Sequence, residues 1–230
     1  MLTPDEWQAL TLSLQVALRS VVLGLPPALL VAWLLARGRF AGRFLLDALV
    51  HLPLVLPPVV VGWALLVVFG VQGPLGALLW QWFGLRLVFT TEGAALATAV
   101  MSFPLIVRAI RLSLEGVDAG LVEAARSLGA GPIDRFLTIT LPLAAPGILS
   151  GAVTAFAAGL GEFGAVITFA SNIPGETQTL PLAIYAATQT PGGEAMAARL
   201  AGLSFGLAIS GLLLAEFLAR RLPRLLGRVA

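Results

Sequence analysis

The chain has no cysteine and, because all 14 of its basic residues are arginine, no lysine. Without thiols there is no disulfide, no thiolate metal site and no thiol nucleophile. Without lysine there is no G-x-x-x-x-G-K-[ST] loop to hold a nucleotide, so any ATP that drives this protein must be bound by another subunit. The single histidine, His51, cannot build a multi-histidine metal centre, and no G-x-S-x-G supplies a hydrolase nucleophile. Charge is scarce as well. It amounts to 11% of 230 residues, where soluble domains carry about 25%. Hydrophobic residues make up 58%, and the mean hydropathy is +0.96. These values describe an integral membrane protein. The isoelectric point near 10.4 does not argue for a nucleic acid partner, because the net charge is only +2 and the arginines are scattered at the ends of apolar segments. No catalytic, cofactor-binding or metal-binding residue is expected.

The apolar runs predict an all-α polytopic membrane protein with about five transmembrane helices, forming one domain over residues 1–230. The first run covers 12–36. Its uncharged part, 20–36, is 17 residues, Arg19 snorkels toward the headgroups, and Pro26-Pro27 kinks it. The acidic start Thr3-Pro4-Asp5-Glu6 lacks the basic region of a cleavable signal, so this segment is expected to stay. The second run, 52–71, has 20 residues without a charge and carries Pro53, Pro57 and Pro58. Three prolines remove three backbone donors, which a bilayer tolerates only in a helix buried in protein or lining a wet cavity. Pro57 and Pro58 are therefore candidate pathway residues, with a kinked packing helix as the plain alternative. Asp47 and His51, at i,i+4 spacing just before, read as an interfacial pair. Residues 72–92 form an outer loop in which Trp80, Trp82 and Phe83 fit an aromatic belt. The third run is 91–110, with a charge-free core of 15 residues at 93–107.

The fourth run, 136–161, has 26 residues without a charge. Gly147, Gly151, Ala155 and Gly159 recur every four residues along it, a strip where another helix can approach closely. The fifth, 195–219, repeats the device with Gly202, Gly206 and Ser210. Glu162 follows the fourth run. A carboxylate at a helix centre would cost about 2.5–3.5 kcal/mol, so it is expected near the outer half and hydrogen-bonded. It serves as a structural bond or as a gate, with the structural role favoured. The stretch 163–190 has room for a re-entrant piece. Arginines set the orientation. Three lie at 37–43, four at 108–142 and four in the tail after 219, against Arg86 in an opposite loop and Arg19 and Arg199 at helix edges. The positive-inside rule then puts the N-terminus outside and the C-terminus inside.

The polar segment at about 112–142 is the longest on the arginine-rich side. Within it, residues 123–128 are mostly good helix formers, with Asp118 placed to cap or precede them. Gly129 stands where a left-handed glycine ends a helix, and Gly131-Pro132 restarts one, with Asp134 in its first turn. The expectation is two short helices joined by a tight glycine corner in water.

The spacing Glu123-Ala124-Ala125-x3-Gly129-x9-Ile139-x-Leu141-Pro142 resembles the cytoplasmic loop of the membrane permeases of ATP-binding-cassette importers. In that family the loop docks a short helix into a groove on a separate ATPase subunit. The resemblance implies that Glu123, Ala124, Ala125, Gly129, Ile139, Leu141 and Pro142 couple the chain to such an ATPase. Longer stretches are similar to the molybdate permeases of bacterial importers: Gly161-Glu162-Phe163-Gly164-Ala165, the segments 171–177 and 189–194, the proline-rich 52–62, and 101–111. The Gly-Glu-Phe-Gly part is shared with sulfate permeases. What the resemblance implies is a type I importer permease fold in the bacterial cytoplasmic (inner) membrane that moves molybdate by alternating access. Permeases for sulfate, tungstate or another oxyanion are the alternative. Its implied partners are two cytoplasmic ATPase subunits, which bind the ATP and Mg, and a periplasmic or extracellular molybdate-binding protein. Five spans do not easily enclose a pathway alone, so a homodimer with the pathway on its two-fold axis is the simplest assembly.

Overall fold

The computed structural model describes residues 2–38 and 40–225, and every regular element among them is helical. Arg39 and Arg228, both counted for orientation, lie outside the described residues, and of Arg220, Arg221 and Arg224 only the backbone is described.

Helix α1 (Pro4–Arg37) starts from a full capping box. The Thr3 hydroxyl accepts from Glu6 N–H at 3.3 Å, and the Glu6 carboxylate accepts from Thr3 N–H at 2.9 Å. It packs antiparallel to α5 (Thr91–Glu115), which Thr90 caps through Gly93 N–H. Arg19 of α1 bonds Glu92 at 2.8 Å near one end of this pair, and Arg37 donates to the carbonyls of Leu114 and Val117 at the other. At about 1.5 Å per residue, Arg19 and Arg37 are about 27 Å apart along α1, close to the about 30 Å of bilayer hydrocarbon. The two ends are called here the Glu92 end and the Arg37 end. The first part of α1 continues past Arg19. There Ser13 Oγ accepts from Leu180 N–H at 2.6 Å, and the buried Glu6 carboxylate accepts from Arg199 at 2.8 Å, tying the first helix to the last.

Helix α2 (Arg43–Val55) and helix α3 (Pro58–Phe69) replace the expected single kinked span over 52–71, and they meet at 116°. The cause is local. Leu56 and Pro57 are extended, with ψ of 144° and 134°. Consecutive prolines bar the helical conformation before them and supply no N–H. Among the described residues four helical runs are long and apolar enough to cross a membrane unaided, at Pro4–Arg37, Thr91–Glu115, Pro132–Leu160 and Glu194–Leu214, and counting the bent pair as one span brings the number to five. Helix α4 (Pro74–Phe83) follows, with Trp80, Trp82 and Phe83 exposed.

Between α5 and the next long run lie α6 (Ala119–Ser127) and α7 (Pro132–Arg135), the latter leading through a π-helical turn (Phe136–Thr140) into α8 (Leu141–Leu160). The non-helical and short-helix link is therefore 116–131, narrower than the 112–142 read from polarity. The glycine strip of α8 faces α5 and α1. A Cβ on Gly151 would lie 3.2 Å from the Ala109 methyl, and one on Gly159 would lie 2.9 Å from the Thr98 methyl. Two short helices, α9 (Gly164–Phe169) and α10 (Leu180–Thr188), occupy the stretch 163–190 that has room for a re-entrant piece, and α11 (Glu194–Leu225) ends the described chain. The apolar core has two main parts. Ala28, Ala32 and Leu35 meet Ile106, Ile110, Leu114 and Ala144 toward the Arg37 end. Val61 and Leu65 meet Ala94, Ala97, Ala165 and Phe169 toward the Glu92 end.

Candidate functional site

The segment 116–142 sits at the Arg37 end, because Arg37 holds the Leu114 carbonyl in the last turn of α5 and the Val117 carbonyl. Asp118 caps α6 by accepting from Gly120 N–H at 2.7 Å, so the helix begins at Ala119, four residues before Glu123. It ends in a Schellman turn. Gly129 has φ +88°, its N–H reaches the Arg126 carbonyl at 3.0 Å, and Ala130 N–H reaches the Ala125 carbonyl at 3.0 Å. Gly131 then caps α7, with Pro132 in its first position. This is the two-helix glycine corner read from the sequence. Among the described residues Glu123 pairs only with its own-helix neighbour Arg126, at 3.4 Å, and both are exposed. Ala124 is exposed and Ala125 half-buried.

The other half of the spacing lies on the returning helix. Ile139 is in the π-helical turn, and Leu141 and Pro142 open α8. Leu141 N–H bonds the Phe136 carbonyl five residues back. Pro142 has no N–H for the Thr138 carbonyl, and its ring crowds that group, which accounts for the widened turn. Helix α6 touches both α7 and the π-helical turn, so the two halves of the motif form one body. Polarity alone did not reveal its most telling feature. Leu128 is 88% exposed and Ile133 74%, on opposite sides of the Gly129 corner. Two large apolar side chains at the tip of a water-facing loop are the mark of a covered surface. The signal was in the sequence, as two apolar residues flanking Gly-Ala-Gly-Pro.

The candidate pathway residues come together elsewhere. Pro57 and Pro58 form the exposed corner between α2 and α3. A Cβ on Gly164 would lie 2.7 Å from Pro58 Cβ, and one on Gly62 would lie 2.7 Å from the Ala165 carbonyl. Helix α9 thus lies directly against α3. Glu162 sits at the start of α9, where its Oε1 accepts from Ala165 N–H at 3.0 Å. It is three residues past Gly159, which approaches Ala17 and Ser20, so the carboxylate lies near the level of Arg19, at the Glu92 end. The carboxylate is thus hydrogen-bonded to the backbone of the short helix that it precedes.

Besides Arg19–Glu92, two ion pairs of long sequence separation were not readable from local pattern. Asp47 accepts from Arg111 through both oxygens at 3.1 Å, while Arg111 also reaches Glu115 at 2.9 Å. His51 Nδ1 lies 3.2 Å from the same Asp47 carboxylate. The expected Asp47–His51 pair is present, and Arg111 extends it into a clamp of α2 on α5. Glu6 and Arg199 form the second.

The comparisons with known proteins agree with this architecture. Residues 24–224 match the family described as binding-protein-dependent transport system inner membrane component. The chain is 59% identical over 220 residues to the molybdenum transport system permease protein ModB of Escherichia coli (strain K12), covering 96% of each chain. It is 54% identical over 223 residues to the ModB of Haemophilus influenzae (strain ATCC 51907 / DSM 11121 / KW20 / Rd), covering 97% of each. Its fold superposes with TM-score 0.73 and 18% identity on a chain from the crystal structure of a bacterial alginate ABC transporter in complex with an alginate pentasaccharide-bound periplasmic protein, covering 99% of this chain and 81% of that one. A bundle of helical spans with a capped glycine-cornered loop at one end, matched along nearly all of its length, makes this chain a member of the binding-protein-dependent transport system inner membrane component family.

Proposed function

We propose that the chain is the permease subunit of an ATP-binding-cassette importer that moves molybdate across the cytoplasmic membrane. The observation that carries the substrate is the 59% identity, over 96% of both chains, to a molybdenum transport permease. In this reading the protein is a homodimer, with the N-terminus outside and the Arg37 end in the cytoplasm. A periplasmic or extracellular binding protein delivers the oxyanion at the Glu92 end. Two ATPase subunits, holding ATP and Mg, seat α6 and the Gly129 corner. Glu123, Ala124, Ala125 and Gly129 then form the docking element, and Ile139, Leu141 and Pro142 form the return that carries its motion into α8. The exposed Leu128 supports that docking, because a partner groove would remove it from water. The Schellman turn supports force transmission, because two backbone hydrogen bonds and Pro132 leave the corner little slack.

A dianion in bare hydrocarbon would cost tens of kcal/mol, so the route must be wet and closed at one end at a time. The exposed Pro57-Pro58 corner is its candidate lining. Glu162, already committed to the α9 backbone, is assigned to holding that corner against α9. Sulfate, tungstate or another oxyanion is the second reading of the substrate, since the Gly161–Gly164 stretch is shared with sulfate permeases. The test is ATPase activity of the permease reconstituted in liposomes with its ATPase and binding protein. Stimulation by molybdate-loaded but not sulfate-loaded binding protein is the expected result. Stimulation by sulfate alone would keep the coupling and replace the substrate. No association with an ATPase would overturn the reading.

A further inference from the structure

A groove of about 660 Å³ lies between α1 and the α7–π-turn run, with Val122, Pro132 and Ile133 at its loop end and none of its lining from the Pro57-Pro58 corner. Leu30 and Trp33 line one wall, and Ile133 and Phe136 line the other. Two guanidiniums, Arg37 and Arg135, stand in the same lining. Among the described residues no carboxylate pairs with either. Arg37 donates only to the Leu114 and Val117 carbonyls, at 3.2 and 3.4 Å, and Arg135 only to the Gly131 carbonyl, at 3.3 Å. Each guanidinium carries five N–H donors, so both keep free donors and full charge.

The dimensions of the groove identify what fits it. On α1 its lining runs from Pro26 to Arg37, which is about 16 Å at 1.5 Å per residue, against about 15 Å for half of the bilayer hydrocarbon. Its apolar part therefore has the depth of one leaflet, and its cationic part lies at headgroup level, where Trp33 also suits the interface. A water-soluble anion would leave the apolar wall uncovered. A neutral lipid would leave the two arginines without a counter-charge.

We propose that this groove binds one anionic phospholipid, its phosphate between Arg37 and Arg135 and an acyl chain along Leu30, Trp33 and Phe136. Arginine clusters between spans are suited to such headgroups. The walls are α1 and the segment that follows the Gly129 corner, so the lipid bridges the Arg37 end of α1 to the loop of the proposed ATPase contact. The inference needs only that the chain crosses the membrane, and it is read without substrate or nucleotide.

The test is native mass spectrometry of the full transporter complex released from nanodiscs of equal phosphatidylglycerol and phosphatidylcholine. The expected result is retention of phosphatidylglycerol in preference to phosphatidylcholine. Arg135→Gln, which gives up a single intrachain bond, should lower that retention about tenfold, and Arg37→Gln with Arg135→Gln should abolish the preference. Leu30→Trp keeps both charges but fills the apolar wall, so it should lower retention as well. Equal retention of the two lipids, or unchanged retention in the double variant, would overturn the proposal. So would a photo-crosslinker at Leu30 that reaches a second copy or the ATPase in phosphatidylglycerol membranes.

Discussion

Helices α8 and α11 carry the same signature, small residues every fourth position, and the fold treats them in opposite ways. The α8 strip is consumed inside the chain. Gly147 approaches Ser113 and Ala109, Gly151 approaches Ile106 and Ala109, and Gly159 approaches Thr98, Ala17 and Ser20, while Ala155 between them is fully buried. The α11 strip is open. A Cβ on Gly202 or Gly206 would meet nothing within 4 Å, Ser210 turns back to its own helix at the Gly206 carbonyl, and Phe205 beside them is 73% exposed. A small residue permits close approach but does not attract a particular partner, so spacing alone cannot say which helix will arrive. In the proposed homodimer the open strip is surface left for lipid or for a second copy.

The largest expected effect is at the closed strip. Gly147→Leu puts carbon into the backbone carbonyl of Ala109, 2.8 Å from the new Cβ, and into Ser113, neither of which is a flexible side-chain end. A cost of about 3 kcal/mol or more is expected, read as a lowered thermal midpoint and loss of monodisperse protein in detergent. Gly129→Val sharpens the comparison from another side. Its Cβ also meets nothing within 4 Å, yet φ is +88°, so the penalty is conformational, about 1–3 kcal/mol, and confined to the loop. Expected are normal membrane insertion and reduced co-purification of the ATPase, and full ATPase retention would remove the corner from the coupling reading. Gly159→Val should fall near or below that. The nearest atom is the Thr98 methyl at 2.9 Å, on a buried side chain whose hydroxyl is bonded to the Ala94 carbonyl, so about 1–3 kcal/mol is expected in the same thermal assay. Gly206→Leu is the smallest. It should leave the thermal midpoint of the chain within about 0.5 kcal/mol of wild type. A strong destabilisation there would mean that α11 is packed against another helix and that the contrast between the strips is false.

The loop shows how far local chemistry reaches. Asp118, Gly129 and Pro132 were each assigned a backbone role from residue type and spacing, and each has it, because caps and left-handed turns are satisfied within five residues. The bent span shows the limit. Three prolines announced a break between 52 and 71, but a kink was expected and the bend is 116°. The prolines bar the helix at Leu56-Pro57, whereas the direction of α3 is set by α9, which packs on Gly62 and Pro58 from a hundred residues away. Glu162 was read as hydrogen-bonded from the cost of burying a carboxylate, and its partner, Ala165 N–H, lies within the same short stretch. Arg111 had no visible link to Asp47 in the sequence, since the two are 64 residues apart.

By itself the sequence determined the solvent of this protein, the number of apolar runs and the capped corner of its loop. Hydropathy and backbone preference act on each residue and its nearest neighbours, and so survive without a fold. The tertiary structure alone decided which glycine strip is filled, how sharply the second span turns, and that Glu6 meets Arg199 across 193 residues. Those outcomes depend on which helix faces reach each other once the whole bundle has formed, and helix faces carry no address beyond shape and charge.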